Sequence, residues 1–460
     1  MVFSELKNRA FYRQTVHLLI PVMLQQLITV GINFLDNIMV GYFGETPIAA
    51  AALANQFYYI FQFVCMGLGS GAVVMSSQFW GSREHDALKT VAAIAMRFTV
   101  CVSAVFLLLS VIWPQGVLRT FTNDMSVVEA GCGYMRLIGV TFIFAGCSST
   151  ATYLLRSTGH VKVPLISSVI AFFLNLFFNW VFIFGKLGAP RLELLGAAVG
   201  TVIARTFEFL FICGYFCLKD ENIGFRLKHA FLSGKALLRK YMRFSLPVII
   251  SDTLLGVGLS LGSAVVGHIN AEFVAANSIV NTGCQLITIA NAAMASASAV
   301  VIGNTIGEGD NEKAYRQGIA YLVISVLIGV LCSIIIIVLE NPYLRMYSVS
   351  ERTLEIAREC FLFQIIMSPI QTPAYVTSKG ILRGGGDTRF LMIFDSILVW
   401  FLSLPLGALA GLVWHMAPFW VIFFLKIEYG MKGIICTIRF FSKKWIKVIR
   451  AADSPAELKG

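Results

Sequence analysis

The sequence predicts an all-α polytopic membrane protein, with about 12 transmembrane helices in two parallel six-helix lobes. Three observations carry that expectation. Of 460 residues, 57% are hydrophobic and only 13% charged, whereas a soluble chain carries about 25% charged residues. Apolar runs long enough to cross a bilayer, roughly 20 residues at a rise of about 1.5 Å, recur along the whole length. The second half of the chain also repeats the first.

Bounded by charges and turn residues, the runs fall near 16–40, 48–78, 91–113, 132–155, 163–185, 194–218, 242–267, 274–302, 316–339, 355–382, 389–411 and 414–438. Several contain Gly or Pro, which membrane helices tolerate when neighbours re-satisfy the backbone. The segment Met1 to Arg13 is polar and basic and leads into a span too long for a signal-peptide core, so a cleavable signal is not needed.

The loops alternate in charge. Lys7, Arg9 and Arg13 precede the first span, Arg83 and Lys89 follow the second, and Arg156 and Lys162 follow the fourth. A middle loop carries Lys219, Arg226, Lys228, Lys235, Arg239, Lys240 and Arg243, and the tail adds Lys443, Lys444, Lys447 and Arg450. Intervening loops are poorer in cations. Positive charge marks cytoplasmic loops, so both termini are expected inside, on a multi-pass protein of the inner membrane. The net charge of +11 is thereby assigned to lipid headgroups rather than nucleic acid.

The internal repeat has an offset of about 226 residues (247 minus 21). Ile20-Pro21-Val22 returns as Leu246-Pro247-Val248, Val40-Gly41 as Val266-Gly267, and Gln78-x-x-Gly81 as Asn304-x-x-Gly307. Leu155-Arg156 with Gly159 returns as Leu382-Arg383 with Gly386 after one local gap. Six spans bring the chain back to its starting side, so the halves are parallel repeats, with substrate and ion sites expected near the midplane. The expected division is 1–218, an amino-terminal lobe; 219–241, a cytoplasmic linker; 242–440, a carboxy-terminal lobe; and 441–460, a cytoplasmic tail.

Scattered cysteines and six histidines without zinc, redox or hydrolase spacing give no sign of an enzyme or a cofactor. The chemistry points instead to three carboxylates within apolar runs. Asp36 lies in Leu35-Asp36-Asn37-Ile38-Met39-Val40-Gly41, Asp252 follows Pro247, and Asp395 lies in Phe394-Asp395-Ser396. A carboxylate at membrane depth costs roughly 2.5–3.5 kcal/mol on insertion scales and by default marks a transport pathway. It is a natural exchange point for a proton or Na⁺. Structural alternatives stand beside each: a wetted helix end for Asp36, a helix start reachable by cytoplasmic water for Asp252, and a helix-bridging hydrogen bond for Asp395.

Asn175 and Asn179, one turn apart, share a helix face. With Thr201 and Asp36 they make an oxygen-rich candidate cation-coupling site, Asp36 being the candidate Na⁺ ligand; the asparagines can equally serve as interhelical glue. The glycine-rich turns at 155–159 and 382–387 read as cytoplasmic hinge or stability elements, with arginines that pin helix ends or headgroups.

These motifs, with Ala197-Ala198-Val199-Gly200-Thr201 and Leu382-Arg383-Gly384-Gly385-Gly386-Asp387-Thr388, resemble the multidrug and toxic compound extrusion (MATE) family over nearly the whole chain. The resemblance implies a V-shaped pair of six-helix lobes. Its implied activity is alternating-access export of organic cations and drugs in exchange for Na⁺ or H⁺. Asp36 matches the family's first-helix coupling aspartate, and Asn175 and Thr201 match its partners. Asn179 stands where some members have Asp, leaving one carboxylate in the amino-terminal lobe. Asp252 resembles an acidic residue early in helix seven. The tenth-helix acid of some members has no match, Gln364 being the nearest polar residue. The expectation is a monomeric antiporter in contact with lipid, with Asp252 and Asp395 as a substrate or second proton site. The alternative is a lipid-linked oligosaccharide flippase of related fold, which would need a lumen rich in Arg and Lys.

Overall fold

The computed structural model describes residues 5, 8–42, 45–122, 124–232, 234–347 and 349–451. The side chain of Asn37 and the expected tail residues 452–460 lie outside that description. Among the described residues every regular element is helical, without a strand. In order, the helices are α1 (Arg9–Gly41), α2 (Glu45–Gly81), α3 (His85–Ile112), α4 (Pro114–Arg119), α5 (Met125–Ser157), α6 (Lys162–Phe184) and α7 (Leu194–Leu218). They continue with α8 (Lys235–Gly267), α9 (Ala271–Gly283), α10 (Gln285–Gly307), α11 (Asn311–Leu344), α12 (Glu351–Tyr375), α13 (Thr388–Ile397), α14 (Leu404–Ala408), α15 (Pro418–Leu425) and α16 (Ile427–Phe441).

Among the described residues, 10 helices are long and apolar enough to cross a membrane. The two other expected runs are helical as well, which is consistent with twelve spans. The run at 355–382 is diluted by Gln364, Ser368, Gln371 and two prolines, and Gln364 turns its amide onto its own helix, toward Gln371 at 2.8 Å. The run at 414–438 breaks at Lys426 into α15 and α16. The expected span at 274–302 is likewise two helices, parted at Cys284.

Pro369 and Pro373 lack the N–H groups that a helix ladder needs, and beyond them the chain widens into a π-helical turn, Val376–Leu382. Two more π-helical turns, Leu398–Ser403 and Leu409–Val413, flank α14.

The chain forms two compact units. One holds Pro21–Ser76 and Glu84–Ile249; the other holds the residues up to Ile20, Ser77–Arg83 and everything from Ile250 on. Helices α1, α2 and α8 thus each contribute to both. In the first unit, Phe57, Phe61, Phe106 and Phe142 make an aromatic core, with Phe61 edge-on to Phe142 at 4.8 Å. Helices α6 and α7 approach closely because Gly196 and Gly200 face the backbone of Phe182 and the side chain of Asn179, the small-residue packing that lipid favours.

In the second unit the repeated Gln78-x-x-Gly81 and Asn304-x-x-Gly307 turns meet each other. A Cβ on Gly81 would lie 2.0 Å from the Asn304 carbonyl oxygen, and one on Gly307 would lie 2.0 Å from that of Gln78. The beginning of the expected tail is packed as well. Trp445 is fully buried against Phe440 and Gly385, Lys447 N donates to Gly385 O at 2.9 Å, and Gln78 bonds the backbone of Lys447 and Ile449. Asp387 accepts from Arg439 at 2.7 Å and Lys447 at 2.5 Å.

Candidate functional site

In the first unit, α1, α2, α5, α6 and α7 surround a pocket lined by three of the four residues of the expected coupling site, Asp36, Asn175 and Thr201; the fourth, Asn179, is buried and bonds Asp36 and Asn175. Asp36 is half-buried on α1. Asn179 donates to Asp36 Oδ1 at 2.5 Å and to Asn175 Oδ1 at 3.2 Å, and Asn175 donates to Thr201 Oγ1 at 3.4 Å. One turn of α6 places both amides on one face, while Gly200 on α7 leaves room for the Asn179 side chain, whose Oδ1 would sit 2.1 Å from an added Cβ. That Oδ1 is buried without a hydrogen-bond partner. The pocket leaves about 60 Å³ for the centres of water-sized molecules. A single water needs roughly 10–15 Å³ on that measure, so several waters, or a small cation with part of its hydration shell, fit here. The donors are carboxylate, amide and hydroxyl oxygens, which suit hard cations rather than soft metals.

Two charged residues that sequence reasoning passed over line the same pocket. Arg205 follows Thr201 by one turn of α7, and its Nη1 donates to Glu208 Oε2 at 2.7 Å. The lobe therefore has a second carboxylate after all: Glu208 on α7 corrects the expectation of one. An arginine and a glutamate three residues apart within the apolar run 194–218 were the available signal.

In the second unit, Asp252 and Asp395 come together, 1% and 2% exposed, in a network of ion pairs. Lys379 Nζ lies 2.8 Å from Asp252 Oδ1 and 2.9 Å from Asp395 Oδ2. Arg383 holds Asp252 with two nitrogens, at 3.0 and 2.8 Å, and Lys432 lies 2.9 Å from Asp395 Oδ1. Ser251 donates to Asp395 at 3.0 Å. Lys379 lies within the π-helical turn and Arg383 just past its end, and both are buried. Beside them, Glu428 is 3% exposed with Oε2 unpartnered.

Two readings are corrected by this geometry. Asp252 is not a helix start wetted by the cytoplasm: α8 begins at Lys235, well before it, and the carboxylate is covered. Arg383 does not reach for headgroups; it is the counter-ion of Asp252. Its repeat counterpart behaves alike, since the buried Arg156 turns inward to hydrogen-bond Gln25 of α1. Arg205, Lys379, Arg383 and Lys432 all lie within or at the ends of the apolar runs, each paired with a carboxylate.

The family model described as MatE matches residues 21–181 and 247–409, one stretch in each half. The chain is 20% identical over 410 residues to the probable multidrug resistance protein YoeA of Bacillus subtilis, covering 88% of each. It is 22% identical over 444 residues to the probable multidrug resistance protein NorM of Thermotoga maritima, covering 95% of this chain and 93% of that one. A solved Vibrio cholerae MATE transporter superposes with a TM-score of 0.85 at 14% identity, over 94% of this chain and 97% of the other. Matched in both of its repeated halves, the chain belongs to the MatE family of multidrug efflux transporters.

Proposed function

We propose that the protein is a secondary antiporter that exports organic cations in exchange for Na⁺ or H⁺, with Asp36 as the coupling carboxylate. The observation that carries the reading is the bonded series Asp36–Asn179–Asn175–Thr201 at a pocket roomy enough for water. Inward ion binding neutralises Asp36. It moves the equilibrium between outward- and inward-open states by as much as the ion's affinities for those states differ. The positive-inside pattern supports an inner-membrane orientation with both termini cytoplasmic.

Asp252 and Asp395 are held by three cations, so they serve the substrate's charge only after a rearrangement that frees one of them. A flippase for lipid-linked pyrophosphates would need cations to spare for the ligand. Lys379, Arg383 and Lys432 are each bonded to a carboxylate, which favours the antiporter.

The test is ethidium efflux from proteoliposomes under an imposed Na⁺ gradient and then a pH gradient. One gradient is expected to drive uphill efflux by the wild type, and Asp36→Asn is expected to fall to the rate seen without a gradient. Full-rate uphill efflux by Asp36→Asn would refute the assignment.

A further inference from the structure

Building on the coupling role of Asp36, we infer that Arg205 is an internal counter-cation that competes with the incoming ion for Asp36, with Glu208 as its resting seat. The pocket holds two carboxylates and one guanidinium. With all three ionised the sum is minus two plus one, so the pocket is one positive charge short. Net charge in a low-dielectric interior is costly; a bound Na⁺ or proton at Asp36 removes the deficit.

In the structure the guanidinium occupies the seat on Glu208. It lies beside Glu208 at 2.7 Å and over the ring of Tyr58 at 6.0 Å, while Asp36 takes its short hydrogen bond from Asn179 instead. Arg205 nonetheless remains within electrostatic reach of Asp36. An arginine fork has five N–H donors and pairs readily with two carboxylates. When the ion leaves Asp36, the guanidinium is drawn toward it and bridges both acids; when an ion arrives from outside, Arg205 returns to Glu208. Such a tethered competitor prevents tight ion trapping, so that the ion is released on the inside and the cycle turns over. The other titratable side chains lining the pocket are Tyr58 and Tyr59 from α2 and Tyr134 from α5; α6 contributes Ser168, Ala171 and Asn175.

The two members of the pair should shift ion affinity in opposite directions, which a packing role would not do. In the purified full-length protein, tryptophan fluorescence is titrated with Na⁺ at fixed pH and with H⁺ in Na⁺-free buffer. For whichever ion gives a response, Arg205→Gln is expected to tighten the midpoint about tenfold, the size expected where a charge pair is worth about 1.4 kcal/mol. Glu208→Gln, which leaves Arg205 no seat but Asp36, should weaken it by a similar factor. Arg205→Lys keeps the charge and should fall between wild type and Arg205→Gln. Unchanged midpoints in folded Glu208→Gln and Arg205→Lys, or shifts of the same sign in Arg205→Gln and Glu208→Gln, overturn the inference. Asp36→Asn separates the two levels: if it abolishes the response while the Arg205 and Glu208 variants do not shift, only the competitor role fails. If Asp36→Asn still responds like the wild type, the coupling assignment fails with it.

Discussion

Replacing Lys379 by methionine should destabilise the protein by about 3 kcal/mol, measured by thermal or denaturant unfolding in detergent. Its ammonium is shared between Asp252 and Asp395, at 2.8 and 2.9 Å, in surroundings from which water is excluded. Deleting one partner of a buried ion pair typically costs about 3–5 kcal/mol, because the remaining charge is left uncompensated. The low end applies here because each carboxylate keeps a second cation, Arg383 for Asp252 and Lys432 for Asp395. The same reasoning predicts a rescue. With the buried Glu428 counted, three carboxylates face three cations, so Lys379→Met leaves one negative charge in excess; adding Asp395→Asn removes it, and the double variant should be more stable than the single one. A loss below 1 kcal/mol in Lys379→Met, or a double variant worse than the sum of its parts, would show that the network does not stabilise the fold by charge balance.

Alanine at Gly307 should cost roughly 1–3 kcal/mol, and the same change at Gly81 a similar amount, as overpacking of a close contact does. Each new Cβ would meet a backbone carbonyl oxygen at 2.0 Å, that of Gln78 for Gly307 and that of Asn304 for Gly81. A carbonyl cannot rotate aside as a flexible side chain does, so the two helix ends must part. Once one alanine has parted them, the second finds room. The Gly81→Ala/Gly307→Ala double variant is therefore expected to be clearly less destabilised than the sum of the singles, an interaction term of the kind neighbours show. Strict additivity would mean that the two contacts are independent.

Much of this architecture is legible in the sequence because membrane helices are local objects. Each apolar run is visible by itself, and the offset between Pro21 and Pro247 reveals the duplication without any tertiary information. Runs that read as one span hold a break in the helix, as at Cys284 and Lys426, or a wider ladder, as after Pro373. The candidate coupling site was legible in part for a similar reason. Asn175 and Asn179 are one turn apart, and Asp36 is conspicuous in an apolar setting. Arg205 and Glu208 belong to none of the motifs, although their spacing of three within an apolar run is visible. The network around Asp252 and Asp395 was illegible for a different reason. Lys379 and Arg383 lie 127 and 131 positions from Asp252, and no local pattern reports such pairing. Near helix ends, lysine and arginine read by default as topology signals. Here they are counter-ions.

The central claim, that an ion exchanges against substrate at Asp36, is tested most directly by following the ion itself. Proteoliposomes carrying the purified protein are loaded with an organic cation, and entry of radioactive sodium, or of protons through a pH-sensitive dye, is recorded as the substrate leaves. Ion movement is expected opposite to the substrate, dependent on it, and absent in Asp36→Asn. Substrate-coupled ion movement of wild-type size in Asp36→Asn would contradict it.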